Sequence, residues 1–97
     1  MKSLRIHEAA RREAHLATAW YAERSIPAAQ LFADDLLAGF KRAVASPLSY
    51  PSYLHETRRL ILRRFPYFIV FFDWQDEIYI IAVAHAKRRP GYWMERV

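Results

Sequence analysis

Two dense apolar runs lie near the end of this sequence, Phe65 to Trp74 and Ile78 to Ala84, separated only by the polar break Gln75-Asp76-Glu77. β-branched and aromatic residues fill both runs, and neither contains glycine. They read as two strands joined by a tight turn. The stretch they belong to runs from Arg58 to Trp93. It opens on a basic, alternating segment and closes on His85, Lys87, Arg88, Arg89, Pro90, Gly91, Tyr92 and Trp93. A buried hairpin that delivers a histidine, three cations and two aromatics to its far end is a scaffold for a polar site. Everything upstream reads as cover for that hairpin.

The upstream chain changes period. Lys2 to Ile6 alternates, with Leu4 and Ile6 apolar, and predicts a short strand that joins the later sheet. His7 to Arg24 is rich in alanine, glutamate and arginine with no proline or glycine, which predicts a helix. Ala9, Leu16 and Trp20 mark one face of it with Glu13 between them, and Ala10, Ala14, Ala17 and Tyr21 lie beside that face. Ser25-Ile26-Pro27 is a break, with Pro27 suited to the first turn of a second helix. Ala28 to Ser46 then places Phe32, Leu36, Phe40 and Val44 at i, i+4 spacing, with Leu31 and Leu37 alongside. Two helices across so short a break form an αα-hairpin.

Pro47 to Glu56 is a loop with two prolines, two serines and two tyrosines, in which Tyr50, Tyr53 and Leu54 are expected to pin the chain down. Thr57 to Arg64 alternates as a strand, with Arg58, Leu60, Leu62 and Arg64 on one face and Arg59, Ile61 and Arg63 on the other. Phe65-Pro66 is a corner, since proline has no place in a central ladder. The order predicts one domain over residues 1–97 with an α+β fold. Its parts are a short N-terminal strand, an αα-hairpin and a three-stranded antiparallel meander. Together they form one small, mainly antiparallel sheet with a basic C-terminal tail. The tail motif Pro90-Gly91-Tyr92-Trp93 should dock on that sheet, because two large aromatics gain from burial.

Composition narrows the function. A 54% apolar fraction rules out a disordered chain. With no cysteine, disulfides and thiolate metal sites are excluded, which fits a reducing cytoplasm. The longest apolar run is far too short for a bilayer, so no membrane partner is expected. His7, His15, His55 and His85 lack ligand spacing, no phosphate-cradling glycine loop occurs, and no metal or cofactor is expected. The net charge of +5 favours an anionic partner. Eight of the fifteen Lys and Arg residues fall between Arg58 and Arg96, and seven of those eight flank the apolar hairpin.

Those seven, Arg58, Arg59, Arg63, Arg64, Lys87, Arg88 and Arg89, are compatible with three readings. They form a phosphate-binding surface with Tyr67, Tyr92 and Trp93 as stacking platforms. They pair with acidic side chains of a protein partner. Or they are a solvated edge that keeps the sheet from aggregating. His85 reads either as a general acid or base near the basic tail, or as a structural hydrogen bond fixing the tail to the sheet. Tyr92-Trp93 reads equally as a plug over the open end of the sheet.

The segment RFPYFIVFF, followed by a strand ending AVAHAKRRPGYW, resembles the RelE/ParE superfamily of toxins from type II toxin–antitoxin modules. EAARREAHLATAWY and QLFADDL upstream fit the same pattern, so the likeness covers nearly the whole chain. The fold it implies is a small antiparallel sheet beside an αα-hairpin. It also implies a cognate antitoxin as partner in a hetero-oligomer, its C-terminal segment disordered until it binds. RelE-like members cut mRNA on the ribosome with Lys and Arg on the central strands, an Arg after the last strand and a Tyr in the tail. On that pattern the candidate catalytic residues are Arg59, His85, Arg88 and Tyr92. Ile61, Phe68 and Ala86 stand where three of the family's cations would be. ParE-like members, of the plasmid-stabilisation type, lack that set and act by binding DNA gyrase, and this sequence sits closer to them. For target or partner binding the candidates are Arg58, Arg59, Arg63, Arg64, Lys87, Arg88, Arg89 and Trp93. Three functions follow: a gyrase-binding toxin, a ribosome-dependent mRNA endoribonuclease, or a module that retains only antitoxin binding.

Overall fold

The two apolar runs pair in antiparallel fashion, and the remainder of the chain is built against them. In the computed structural model, which describes residues 2–97, the order is β1 (Ser3–Ile6), α1 (Glu8–Arg24), α2 (Ile26–Ala45), β2 (Arg58–Ile61), β3 (Tyr67–Trp74) and β4 (Glu77–His85). Short 3-10 turns occur at Pro47–Ser49, Leu54–Glu56 and Met94–Arg96. Trp74 stands opposite Glu77, so the β3–β4 turn has only two residues, Gln75 and Asp76. Gln75 takes the left-handed φ of 50° that primed hairpin turns require. The sheet order is β1-β4-β3-β2. β2 and β4 flank β3 antiparallel, while β1 lies parallel to β4 with Ile6 opposite Ile80. The fold is therefore α+β with one mixed, mainly antiparallel sheet.

The helices begin and end for local reasons. His7 caps α1, its Nδ1 accepting from the Ala9 N–H at 3.0 Å. Ser25 serves both helices: its N–H donates to the Tyr21 carbonyl at 2.8 Å, and its hydroxyl accepts from the Ala28 N–H at 3.2 Å. The second helix thus starts at Ile26, before Pro27 rather than after it. Phe32, Leu36 and Phe40 are buried as the spacing predicts. On α1 the buried residues are Ala10 and Ala17, with Ala14 and Tyr21 packed against the same core. Leu16 and Trp20, expected to mark a face beside it, are 65% and 51% exposed. Small side chains are what let α1 lie close to both α2 and β4. The large apolar ones look outward.

Each sheet face has its own cover. The helices cover a layer that includes Leu60, Ile69, Phe71, Ile78, Ile80 and Val83. Gly39 marks the closest approach, since a Cβ there would stand 2.7 Å from Ile69 Cδ1. Tyr21, Phe32, Phe65 and Tyr67 interlock above this layer with ring centroids 5.0 to 5.2 Å apart. The other face, around Val70, Ile81 and Ala82, is covered by Trp93, with Tyr53, Phe68 and Tyr92 packed beside it. Gly91, at φ 80°, makes the turn that delivers Trp93 there. The strand expected over Thr57 to Arg64 stops at Ile61. Pro66 has no N–H to continue a ladder, and the chain turns early, the Leu62 N–H donating to the Tyr67 carbonyl at 3.0 Å.

Trp93 is only 1% exposed. Trp93→Ala should therefore lower stability by about 3–5 kcal/mol, the usual cost of emptying a large aromatic site. Urea unfolding would measure it, and an unchanged midpoint would mean the tail is not part of the core.

Candidate functional site

The parallel pairing of β1 with β4 ends at Ile80, whose carbonyl accepts from the His7 N–H at 2.9 Å. β4 continues to His85, so its outer edge runs on without a neighbouring strand. Val70 stands opposite Ala82 and Phe71 opposite Ile80, which leaves Ile81 as the extra residue of a bulge. Past the bulge, side chains take over the work of a strand. The Val83 N–H donates to Glu13 Oε1 at 3.0 Å, and the Ile81 carbonyl accepts from Arg96 Nη1 at 3.1 Å. Arg96 also grips Glu13 with both terminal nitrogens, at 2.9 and 3.0 Å. The Tyr92 hydroxyl donates to Glu13 Oε2 at 2.6 Å. Each carboxylate oxygen of Glu13 thus receives two donors, and one residue of α1 joins β4 to the tail.

Burial and this network govern the ionisation of the tail. Burial, then the hydrogen bond to Glu13 and the charge of Glu13, push the Tyr92 pKa well above the usual tyrosine value; Arg96 and Arg88 offset only part of that. For Arg96, burial acts to lower the pKa, but the Glu13 hydrogen bond and charge outweigh it and hold the guanidinium above its ordinary value. The Arg88 guanidinium lies over the Tyr92 ring, 3.8 Å from its centroid.

The seven flanking cations do not form one surface. Arg58 donates to the Tyr50 carbonyl at 2.7 Å. Arg59 points to the face away from the helices, over the rings of Tyr53 and Phe68 at 4.4 and 5.2 Å. Both arginines of β2 are half-buried and make these contacts within their own chain. Arg63 and Arg64 sit in the turn before β3, and Lys87, Arg88 and Arg89 follow β4. The Pro66 carbonyl accepts from the Ala86 N–H at 2.8 Å, which brings these two segments to the same end of the sheet. All five are exposed, and none forms a salt bridge among the described residues. His85 stands at this end as a hook: its Nδ1 accepts from the Lys87 N–H at 3.0 Å, and its ring meets Tyr67 edge-on at 5.0 Å. The structural reading of His85 is the one its contacts match. Trp93, proposed from the sequence as a binding residue, lies in the core instead.

Beside the basic end an open groove of about 490 Å³ runs between α1 and the ends of β3 and β4. Leu16, Trp20 and Tyr21 form one wall, and Pro66, Tyr67 and Val83 the other, with His85 and Arg88 at the lip. The exposure of Leu16 and Trp20 follows from this: they face the groove.

A folded sheet with a helical hairpin on one face, a tail on the other and a basic end is what the sequence resemblance implied. The family described as ParE toxin of type II toxin-antitoxin system, parDE, matches residues 4–90. The chain belongs to the ParE toxin family. Among solved structures, this ParE family member is similar to one titled "Chromosomal ParDE TA system from P. aeruginosa", with 22% sequence identity and a TM-score of 0.72. That likeness covers 90% of this chain and 98% of the other, and at such identity it speaks for the fold alone. No curated protein matches this chain.

Sequence reasoning missed the Glu13–Arg96 pair at the centre of this region. Its one signal was an acidic residue set between the apolar positions of α1. A pH series tests the network. Tyr92 has a raised folded pKa, so its contribution to stability is complete below the unfolded tyrosine pKa of about 10 and is lost as pH rises beyond it. Tyr92→Phe should cost about 1.5–3 kcal/mol near neutrality, the worth of a hydrogen bond to a charged group. Its deficit relative to the parent should then shrink on going from about pH 9 to pH 11. Unfolding midpoints that fall in parallel for both proteins would contradict the contact.

Proposed function

We propose that this ParE family member acts by binding rather than by cleavage. It inhibits an essential cytoplasmic target, DNA gyrase, and is neutralised by a cognate antitoxin with which it forms a hetero-oligomer. The observation that carries this reading is the separation of Arg59 from the other three residues an mRNA-cleaving relative would need. Arg59 lies on the opposite sheet face from His85, stacked over Tyr53 and Phe68. The Tyr92 proton is donated to Glu13, and its raised pKa makes it a poor proton carrier near neutral pH. Arg88 is stacked on Tyr92. Scission of RNA requires charged and proton-transferring groups converging on one phosphate, and Arg59, stacked over Tyr53 and Phe68, is held apart from His85, Arg88 and Tyr92.

A binding role draws on what the fold does expose. Arg63, Arg64, Lys87, Arg88 and Arg89 supply a concentrated positive field at one end of the sheet, and the adjoining groove supplies apolar area. Such a surface suits an acidic protein segment. Induced expression without the antitoxin tests the reading. Filamentation with DNA damage is expected, together with loss of supercoiling by purified gyrase on addition of the protein. Rapid translation arrest with cut mRNA would overturn it in favour of ribosome-dependent cleavage. Normal growth would leave only a module that binds antitoxin.

A further inference from the structure

The aromatic rings beside the basic end of the sheet are already engaged. Trp93 is buried. Tyr92 carries the Arg88 guanidinium over its ring and donates its hydroxyl to Glu13. Tyr67 sits between Phe32 and His85, with ring centroids 5.2 and 5.0 Å away. Trp20 is half-exposed, but the Arg24 guanidinium lies over it at 3.6 Å. The cations of that end are exposed: Arg63, Arg64, Lys87, Arg88 and Arg89. Asp35 approaches Arg64 at its backbone N–H, at 3.4 Å, and not at its guanidinium. The bond from the Ala86 N–H to the Pro66 carbonyl sets the two basic turns side by side, about 5 Å apart, one strand spacing. Of the five cations, Arg88 alone lines the groove. A chain lying in the groove therefore meets one cation and leaves four unmatched.

We propose that these two turns bind the sugar–phosphate backbone of duplex DNA, without regard to its sequence. The proposal deepens the gyrase reading above, because that target holds duplex DNA and the toxin then grips the same duplex. Single-stranded nucleic acid is held by cations together with bare aromatic faces, and the faces here are covered. Base reading in a duplex needs a helix or a β-ribbon in a groove. These cations lie on turns, so they reach phosphates, which carry no sequence information. Charge density selects the duplex over an acidic protein segment. Along each DNA strand one charge falls about every 3.4 Å. Along one face of an extended peptide, carboxylates recur no closer than about every 6.6 Å. Four of the five cations are arginines, whose planar fork pairs with two phosphate oxygens at once.

Titration of the purified full-length chain against a mixed-sequence DNA duplex, over a series of salt concentrations, tests the site. The slope of log affinity against log salt should be about −4, from about 0.9 for each phosphate neutralised. A duplex of scrambled sequence should bind within about twofold. Arg63→Gln, Arg64→Gln, Lys87→Gln and Arg89→Gln combined should weaken binding at least about 100-fold at about 50 mM salt and flatten the slope to about −1. The same loss of charge through Arg5→Gln, Arg11→Gln, Arg12→Gln and Lys41→Gln, all exposed and outside the two turns, should leave the slope of the parent. Both variants should unfold at urea midpoints near the parent's. Equal weakening by the two sets would make the binding a matter of net charge and overturn the site. A parent slope near zero would do the same without any mutation. Tighter binding of the single strand, of an RNA duplex of the same sequence, or of a polyglutamate chain of matched charge would assign the surface to another partner and overturn the DNA proposal. The assay contains no gyrase, so its failure leaves the gyrase reading to the supercoiling measurement.

Discussion

A partly buried carboxylate with two donors on each oxygen ties together three parts of this chain: α1, β4 and the tail. Glu13 sits on α1, receives the backbone of β4 through Val83, and receives the tail through Tyr92 and Arg96. Its position is set by a mismatch in length. β1 is four residues long and β4 nine, so about half of β4 has no neighbouring strand on that side. Past the bulge at Ile81 one edge group meets Glu13 of α1 and another meets Arg96 of the tail, so an ion pair takes the place of a neighbouring strand. Buried ion pairs are often no better for stability than well-packed apolar residues. Here the alternative is unpaired backbone, which costs more.

Several features depend on that clamp. Anchoring Arg96 and Tyr92 fixes the segment between them, and Trp93 is thereby held over the sheet face that the helices leave bare. The same contacts hold the Tyr92 hydroxyl in a hydrogen bond to Glu13. The clamp also stops short of His85, beside which the groove at the basic end of the sheet lies open.

Much of the architecture was legible in the sequence because it rests on periodicity. The i, i+4 stripe of α2, the two apolar runs of β3 and β4, and the polar break between them have local causes. So does the docking of Trp93, since an aromatic pair after Pro-Gly has strong reason to leave water. The exposure of the large side chains of α1 has a physical explanation: α1 approaches its neighbours through alanines, and Leu16 and Trp20 are left for the groove. Arg58 and Arg59, read as target or partner contacts, also meet their own chain, Arg58 a carbonyl and Arg59 two rings, contacts to which arginine's stem and planar head are suited. The site's key pair was not legible because Glu13 and Arg96 lie 83 residues apart. Which surface charges find each other is decided by the register of β1 on β4 and by the bulge, neither of which a charge pattern reveals.

The most direct test is a double-mutant cycle on the clamp, with Glu13→Gln, Arg96→Met and the pair compared by urea unfolding. Either single change strands a partly buried charge and should cost about 3–5 kcal/mol. The double change should cost less than the sum of the two by at least about 1.5 kcal/mol, because it leaves no unpaired charge behind. Costs that add to within about 0.5 kcal/mol would mean the two residues act independently, and Glu13 would not be the element on which the sheet edge and the tail depend.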